Sequence, residues 1–196
     1  ESRIRSRMIR LGILAVSDYW EHFDRNEKEE RAALQSLMTT HYTFFFREYV
    51  HFEVLENWIN AEFKNLKERY EKSKKPLRVW SAACSRGQEV YSIALFLAVN
   101  LFKKYGIPFE VVGTDIDPES VAYAENGVYN IKEVNTIPQI YLNGYWKKGT
   151  GPIEDFAAVH PGLKVKTSFH VQNLLSLDKK ITEQTFDIIF CRNVFI

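Results

Sequence analysis

The stretch that most constrains this chain runs from Trp80 to Leu97, WSAACSRGQEVYSIALFL. Leu77 to Ala83 is an apolar run that reads as a buried strand. Cys84, Ser85, Arg86 and Gly87 follow as a small-residue turn, and Val90, Ile93, Ala94 and Leu97 then share one face of a helix. Strand, tight turn and helix form the front half of a nucleotide-binding βαβ unit. Small residues let the backbone approach a ligand, and the new helix offers unpaired N–H groups there. Glu89 falls in the first helical turn. A carboxylate at that place repels a pyrophosphate and suits a cationic or hydroxyl-bearing ligand. That charge favours S-adenosylmethionine over NAD.

The second half of the unit is FEVVGTDI, Phe109 to Ile116, a strand ending near Asp115 and Asp117. An acid at the end of the second strand can accept both ribose hydroxyls of an adenosine. The acid lies further from the turn than the ~20 residues of the usual fingerprint, because the intervening helix is long. Only Gly87 survives of the glycine pattern. On the residues alone, an ordinary βαβ unit with a capping aspartate remains open.

Bulk properties exclude several classes. With 196 residues and 45% hydrophobic content the chain can bury a sizeable core, in one large or two small domains. A formal net charge of +1 gives no general argument for nucleic acid or membrane, and there is no long basic stripe with interleaved aromatics. No apolar run approaches the ~20 residues that span a bilayer, and no signal peptide is evident. A cytoplasmic location is the expectation, without nucleic acid and without membrane insertion. Cys84 and Cys191 make no disulfide framework and read as small buried thiols. The five histidines show no metal spacing, so no metal site is expected.

The chain divides into two parts. Residues 1–72 read as a helical domain with a linker, and residues 73–196 as an α/β domain. In the first part Ile4, Met8 and Leu11 share one face and Arg3, Arg7 and Arg10 another. Asp18 suggests a helix start, and Ala32 to Met38 and Phe52 to Tyr70 read as further helices. In the second part the pattern predicts strands over 77–83, 109–116, 164–171 and 186–191 and helices over 87–105 and 118–126. The region 141–171 is too long for a plain connection. Its Gly and Pro turns between short alternating segments suggest a small antiparallel excursion, the alternative being a surface loop with packed aromatics.

Five blocks then carry a resemblance: LMTTHYTFFFRE from Leu37, WSAACSRGQEVYSIA, GTDIDPESVAYAENGVY, FHVQNLL and FDIIFCRNVFI. In this order and spacing they resemble the chemotaxis-receptor glutamate methyltransferases of the CheR type, over about Met8 to Ile196. The resemblance implies a Rossmann-like S-adenosylmethionine-dependent methyltransferase sheet. With it come an N-terminal helical domain and a small β-subdomain inserted within 141–171. It implies S-adenosylmethionine as donor and S-adenosylhomocysteine as product. The implied reaction is O-methylation of glutamate side chains. The partner would be the cytoplasmic domain of a chemoreceptor, whose tail peptide docks on 141–171 in some members.

The chemistry asks little of the protein. A glutamate side chain has a pKa near ~4.3, so it is already an anion at neutral pH and needs no general base. The site must hold that carboxylate against the methyl group, gaining chiefly from proximity. An arginine binds carboxylates in a fork and is always charged. Arg47 is the candidate catalytic residue, with Phe44, Phe45 and Phe46 walling the site. The competing reading makes Phe45 and Phe46 core residues and Arg47 a solvated charge.

The resemblance also implies a cofactor set. Thr43 and Arg47 would stand near the methionyl end, Glu89 at the methionyl ammonium and Asp115 at the ribose. Asn173 and Leu174 would flank adenine, and Arg192 and Asn193 would follow the fourth strand. His41 stands where the family commonly has Asn, and Gln88 replaces a frequent Glu. The chain begins without Met and stops at CRNVFI, where the family continues with a Tyr and further strands. The sheet is therefore expected to be incomplete at its C-terminal side, with 186–191 as an apolar edge, and the activity of this stretch by itself stays open. Two other classes remain: another S-adenosylmethionine methyltransferase, and a non-catalytic relative that binds cofactor or receptor.

Overall fold

The computed structural model of the chain describes residues 2–38 and 42–194. Three helices come first: α1 (Ser2–Leu11), α2 (Val16–Arg25) and α3 (Glu27–Met38). Their shared centre is a carboxylate. Glu30 is buried and accepts from Arg7 Nε at 3.1 Å, from Arg7 Nη2 at 2.5 Å and from the Tyr19 hydroxyl at 3.1 Å, with His22 Nε2 at 3.3 Å. A buried charge is tolerable only when paired and hydrogen-bonded, as here. The basic face expected on α1 is thus partly consumed: Arg7 serves Glu30, and Arg3 donates to the Leu37 carbonyl at 3.0 Å. Asp18 does not cap α2. Ala15 holds that position without a side-chain bond, and Asp18 sits in the first turn.

The long helix α4 (Val50–Ser73) buries Phe52, Leu55, Ile59 and Leu66, one stripe at helical spacing. Those side chains share one core with Leu77, Ile93, Leu97 and Phe190. Near its end Arg69 forks onto Asp187, donating to both carboxylate oxygens, and Asp187 also accepts from the Arg78 amide at 2.8 Å.

The α/β part follows as β1 (Leu77–Ala82), α5 (Gln88–Leu97), β2 (Phe109–Asp115) and α6 (Pro118–Asn126). Then come β3 (Val128–Asn130), α7 (Ile131–Val134), β4 (Trp146–Lys148), β5 (Phe156–Val159), β6 (Thr167–Val171) and β7 (Ile188–Cys191). Four strands make a parallel sheet in the order β6-β2-β1-β7. Such a sheet is covered on both faces, which is why β1 and β2 read as near-continuous apolar runs. The register sets Leu77 beside Phe109 and Ala82 beside Thr114, so the turns after β1 and β2 emerge side by side.

The predicted single helix over 87–105 differs in its second half, where α5 widens into a π-helical turn over Ala98–Lys103. Asn100 lies in that turn, and its side-chain amide donates to the Phe96 carbonyl at 3.2 Å and reaches the Tyr141 hydroxyl at 3.3 Å. A second sheet is antiparallel, in the order β3-β5-β4. The interval 141–171 holds two of its strands. The third, β3, precedes the interval, and β6 within the interval belongs to the parallel sheet. Cys84 is buried but Cys191 is exposed, so the expectation of two buried thiols holds for the first alone.

Candidate active site

The site grows from the turn after β1. Ala83 and Ser85 both hold positive φ, +60° and +50°, and Gly87 stands at +87°. Two non-glycine residues in that region within one short turn are a local strain of the kind found where backbone geometry serves a ligand. A side chain at position 87 would place its Cβ 2.7 Å from Ala124 Cβ and 3.0 Å from the Tyr129 hydroxyl. Glycine alone fits. The small sheet buttresses the same turn: Tyr129 in β3 donates to the Arg86 carbonyl at 2.6 Å. Burial raises the pKa of Tyr129, so its phenol keeps the proton it donates.

Asp115, at the end of β2, is buried. Its Oδ2 accepts from the Ser85 amide at 2.7 Å and its Oδ1 from the Asp117 amide at 3.0 Å. The carboxylate therefore clamps the two neighbouring turns together. Each oxygen retains a lone pair, so the acid can still take hydroxyls from a ligand.

Glu89 projects from the first turn of α5. Its Oε1 accepts from the Ser81 hydroxyl at 2.8 Å and its Oε2 from Arg192 Nη1 at 3.0 Å. Burial raises its pKa above the usual carboxylate value, and the bonds from Ser81 and Arg192 oppose that rise. Arg192 Nη2 also donates to the Arg47 carbonyl at 2.7 Å and to Glu48 Oε2 at 3.0 Å. Arg47 Nη1 donates to the Tyr42 carbonyl at 2.8 Å, and the guanidinium carbon lies 5.5 Å from the Tyr42 ring centroid and 5.8 Å from that of Phe44. Cation–π contact of this kind fixes a guanidinium without neutralising it.

One cleft thus gathers Thr43, Arg47, Glu89, Arg192 and Asn193, with an enclosed volume of ≈ 60 Å³. That is room for a small group such as an ammonium, a few waters in size. Asp115 joins the cleft through Ser85. Asn173 and Leu174 do not line it. They follow β6, beyond Asp115, with Asn173 exposed and turned onto its own loop through the Leu175 amide. His41 lies outside the described residues.

The three phenylalanines divide. Phe44 lines the cleft and is half-exposed. Phe46 lines it and is also core, stacked on Tyr141 at 4.6 Å. Phe45 packs on Tyr129 and Trp146 instead, so at that position the core reading wins. Sequence reasoning missed Ser81 and Glu48, and read Ser85 only as a small residue of the turn. Ser81 had no local signal, since its hydroxyl finds Glu89 only once β1 and α5 are packed. Glu48 stood in the quoted FFRE block, but its partners Arg192 and Asn193 are distant in sequence.

An observation independent of any motif fits a polar group here, such as the amino-acid end of an adenosyl cofactor. The Ser85 hydroxyl is buried in the cleft and has no hydrogen-bond partner among the described residues. A hydroxyl so placed is costly unless a ligand or water serves it. Around it are a clamped acid at a strand end, a second acid at a helix start, and small residues between. No group of three or more His, Cys, Asp or Glu among the described residues is arranged to hold a metal ion. No helix among them is long and apolar enough to cross a membrane.

This arrangement defines a cofactor-binding α/β domain of the S-adenosylmethionine methyltransferase class. Residues 41–196 match the family model described as "CheR methyltransferase, SAM binding domain". The chain belongs to that family. It is 37% identical over 192 residues to chemotaxis protein methyltransferase 2 of Pseudomonas aeruginosa, covering 98% of this chain and 64% of that protein. It is 35% identical over 196 residues to the chemotaxis protein methyltransferase of Salmonella typhimurium, and 34% identical over 196 residues to that of Escherichia coli. Each of these two matches covers 100% of this chain and 64% of the relative. The chain thus spans about two thirds of the length of these relatives. The family expected from the five sequence blocks is the one shown.

Proposed function

We propose that the protein carrying this chain is an S-adenosylmethionine-dependent methyltransferase that esterifies glutamate side chains of a chemoreceptor's cytoplasmic domain. One observation carries the reading: Arg47, Glu89 and Arg192 converge on the strained turn after β1, beside the clamped Asp115. Glu89 would hold the methionyl ammonium, Asp115 the ribose hydroxyls, and Asn173 and Leu174 the adenine side. Thr43, His41 and Asn193 complete the proposed cofactor set. When bound, S-adenosylmethionine supplies an electrophilic methyl group.

The protein's part is to place the acceptor. Arg47 is held by two aromatic faces and the Tyr42 carbonyl, which leaves guanidinium N–H groups for an incoming carboxylate. The acceptor is ionised at neutral pH, so the cleft needs no base and works by orientation and exclusion of water. Phe44 and Phe46 supply the apolar wall.

The organisation we propose is a helical part over 1–72 and a Rossmann-like α/β part over 73–196, with the three-stranded sheet as an inserted subdomain. α4 is the element that joins the two, since its apolar stripe lies in the sheet's core. β4 is an outer strand of the small sheet and carries exposed Lys147 and Lys148, which supports it as the docking place of a receptor tail peptide.

The test is transfer of labelled methyl from S-adenosylmethionine to a receptor's cytoplasmic fragment by the full-length protein. Label on the fragment that is released by mild base supports a glutamyl ester. Base-stable label supports a different methyltransferase. Cofactor binding without any transfer supports a non-catalytic relative.

A further inference from the structure

Glu48 has no place in the cofactor set above, yet four groups converge on its carboxylate. Arg192 Nη2 donates to it at 3.0 Å and Asn193 Nδ2 at 3.4 Å, with His51 Nδ1 at 3.6 Å and Arg47 Nε at 3.7 Å. The backbone goes out of its way to put it there: Phe46 and Glu48 both take positive φ, +53° and +54°. Such values are uncommon for residues with a Cβ and persist only where surrounding contacts fix them. The Phe46 amide is pinned to the Ser92 hydroxyl at 2.9 Å, which anchors this turn to α5.

Charge explains what the arrangement accomplishes. Two guanidiniums, Arg47 and Arg192, face two carboxylates, Glu48 and Glu89, so their formal charges cancel. Arg192 already occupies Glu89 Oε2. A cationic ligand that comes to Glu89 meets this guanidinium at once, and like charges sharing one carboxylate repel. Glu48 takes the other side of Arg192 and offsets its charge.

We propose that Glu48 is a positioning residue that holds and neutralises Arg192, so that Glu89 can accept a cationic ligand, the ammonium end of S-adenosylmethionine. It acts through Arg192 and touches neither donor nor acceptor. The proposal rests on the cofactor reading above.

Calorimetry on the full-length protein tests it with three ligands. S-adenosylmethionine carries an ammonium, a carboxylate and a sulfonium, S-adenosylhomocysteine the ammonium and carboxylate, and methylthioadenosine none of the three. Glu48→Gln should weaken S-adenosylmethionine about fivefold at low salt, the scale of a half-exposed ion pair. S-adenosylhomocysteine, which keeps the ammonium, should weaken by a similar factor, methylthioadenosine should change by less than about twofold, and Glu48→Asp should recover most of the loss. In an Arg192→Met background the Glu48→Gln change should have no further effect. An equal loss for all three ligands means a structural role and overturns the proposal. So does an unchanged affinity for S-adenosylmethionine, or a full Glu48→Gln effect without Arg192. Wild-type protein that binds neither S-adenosylmethionine nor S-adenosylhomocysteine overturns the cofactor reading itself, and the proposal with it.

Discussion

Arg192 Nη1 donates to Glu89 Oε2 at 3.0 Å although the two residues stand 103 positions apart. The bond closes the cleft between the end of β7 and the start of α5. Burial, which this bond opposes, sets a conflict between stability and function at Glu89. Burial raises the folded-state pKa of this acid. Protonation therefore favours the folded state, and the stability tied to this group is full below its ordinary pKa and falls as pH rises through the raised value.

Glu89→Gln should change stability little near neutral pH, since relief of the buried charge is offset by the acceptor lost to Arg192, while weakening S-adenosylhomocysteine binding at least tenfold, roughly the loss of one charge-assisted hydrogen bond. In the wild type, binding should fail on acidification at a pH above the ordinary carboxylate value of 4.5, where Glu89 takes up its proton. Calorimetric titration across pH, with thermal melts of both proteins, checks both halves. Binding by the wild type that persists down to the ordinary range would dissociate Glu89 from the ligand.

Asp115 serves the backbone as well as the proposed ribose. Asp115→Ala strands both the Ser85 and the Asp117 amide, at a cost of about 1–3 kcal/mol for each group left buried and unsatisfied. The variant should lose urea resistance and cofactor affinity at once. A pure ligand contact would lose affinity alone, so paired urea denaturation and calorimetry decide.

Gly87→Ala should destabilise by about 1–3 kcal/mol, because the added methyl lands 2.7 Å from Ala124 Cβ in a left-handed conformation. Gly106 offers a control: its φ is +70° but nothing lies within 4 Å of an added Cβ. Gly106→Ala should cost about 1 kcal/mol or less, the conformational part alone. Equal denaturation midpoints for the two variants would contradict the close packing of the turn.

The N-terminal helices should come apart on acidification. Arg7, Tyr19 and His22 hold the Glu30 carboxyl below its ordinary pKa, the Arg7 hydrogen bond contributing most. A depressed acid gives stability that is full above the ordinary value and is lost as pH falls through the folded-state value. Glu30→Gln removes the same stability at neutral pH, roughly 3 kcal/mol for breaking a buried pair. Hydrogen exchange across residues 2–38 checks it, and unchanged protection in the variant would contradict the role given to Glu30.

Much of this was legible in the sequence because the relevant signals are local. β1 and β2 are apolar runs bounded by charge and small residues, and each was read to within a residue. Gly127 and Asp117 bracket α6 as its C-cap and N-cap, Asp117 accepting from the Ser120 amide. What was not legible depends on chain closure. β3 is three residues long, too short for alternation to register, and exists because Tyr129 pairs with Ala157. Arg7 reads from the sequence as part of a basic face on α1, because Glu30, 23 positions on, carries no local mark of burial. Arg192 was placed at the site by resemblance, but its sharing between Glu89 and Glu48 required three segments to meet. Asn173 was assigned to the adenine side by resemblance, and its place after β6, the strand beside β2, is likewise set by the sheet.

The central claim is that the turn after β1 holds an adenosyl cofactor with its amino end on Glu89. A crystal structure of the full-length protein with S-adenosylhomocysteine tests it most directly. The account predicts the ligand's ammonium on the Glu89 carboxylate, its ribose hydroxyls on Asp115, and Arg192 still paired with Glu48. A ligand bound at another edge of the sheet, or lying in this cleft with its amino end turned away from Glu89, would contradict it.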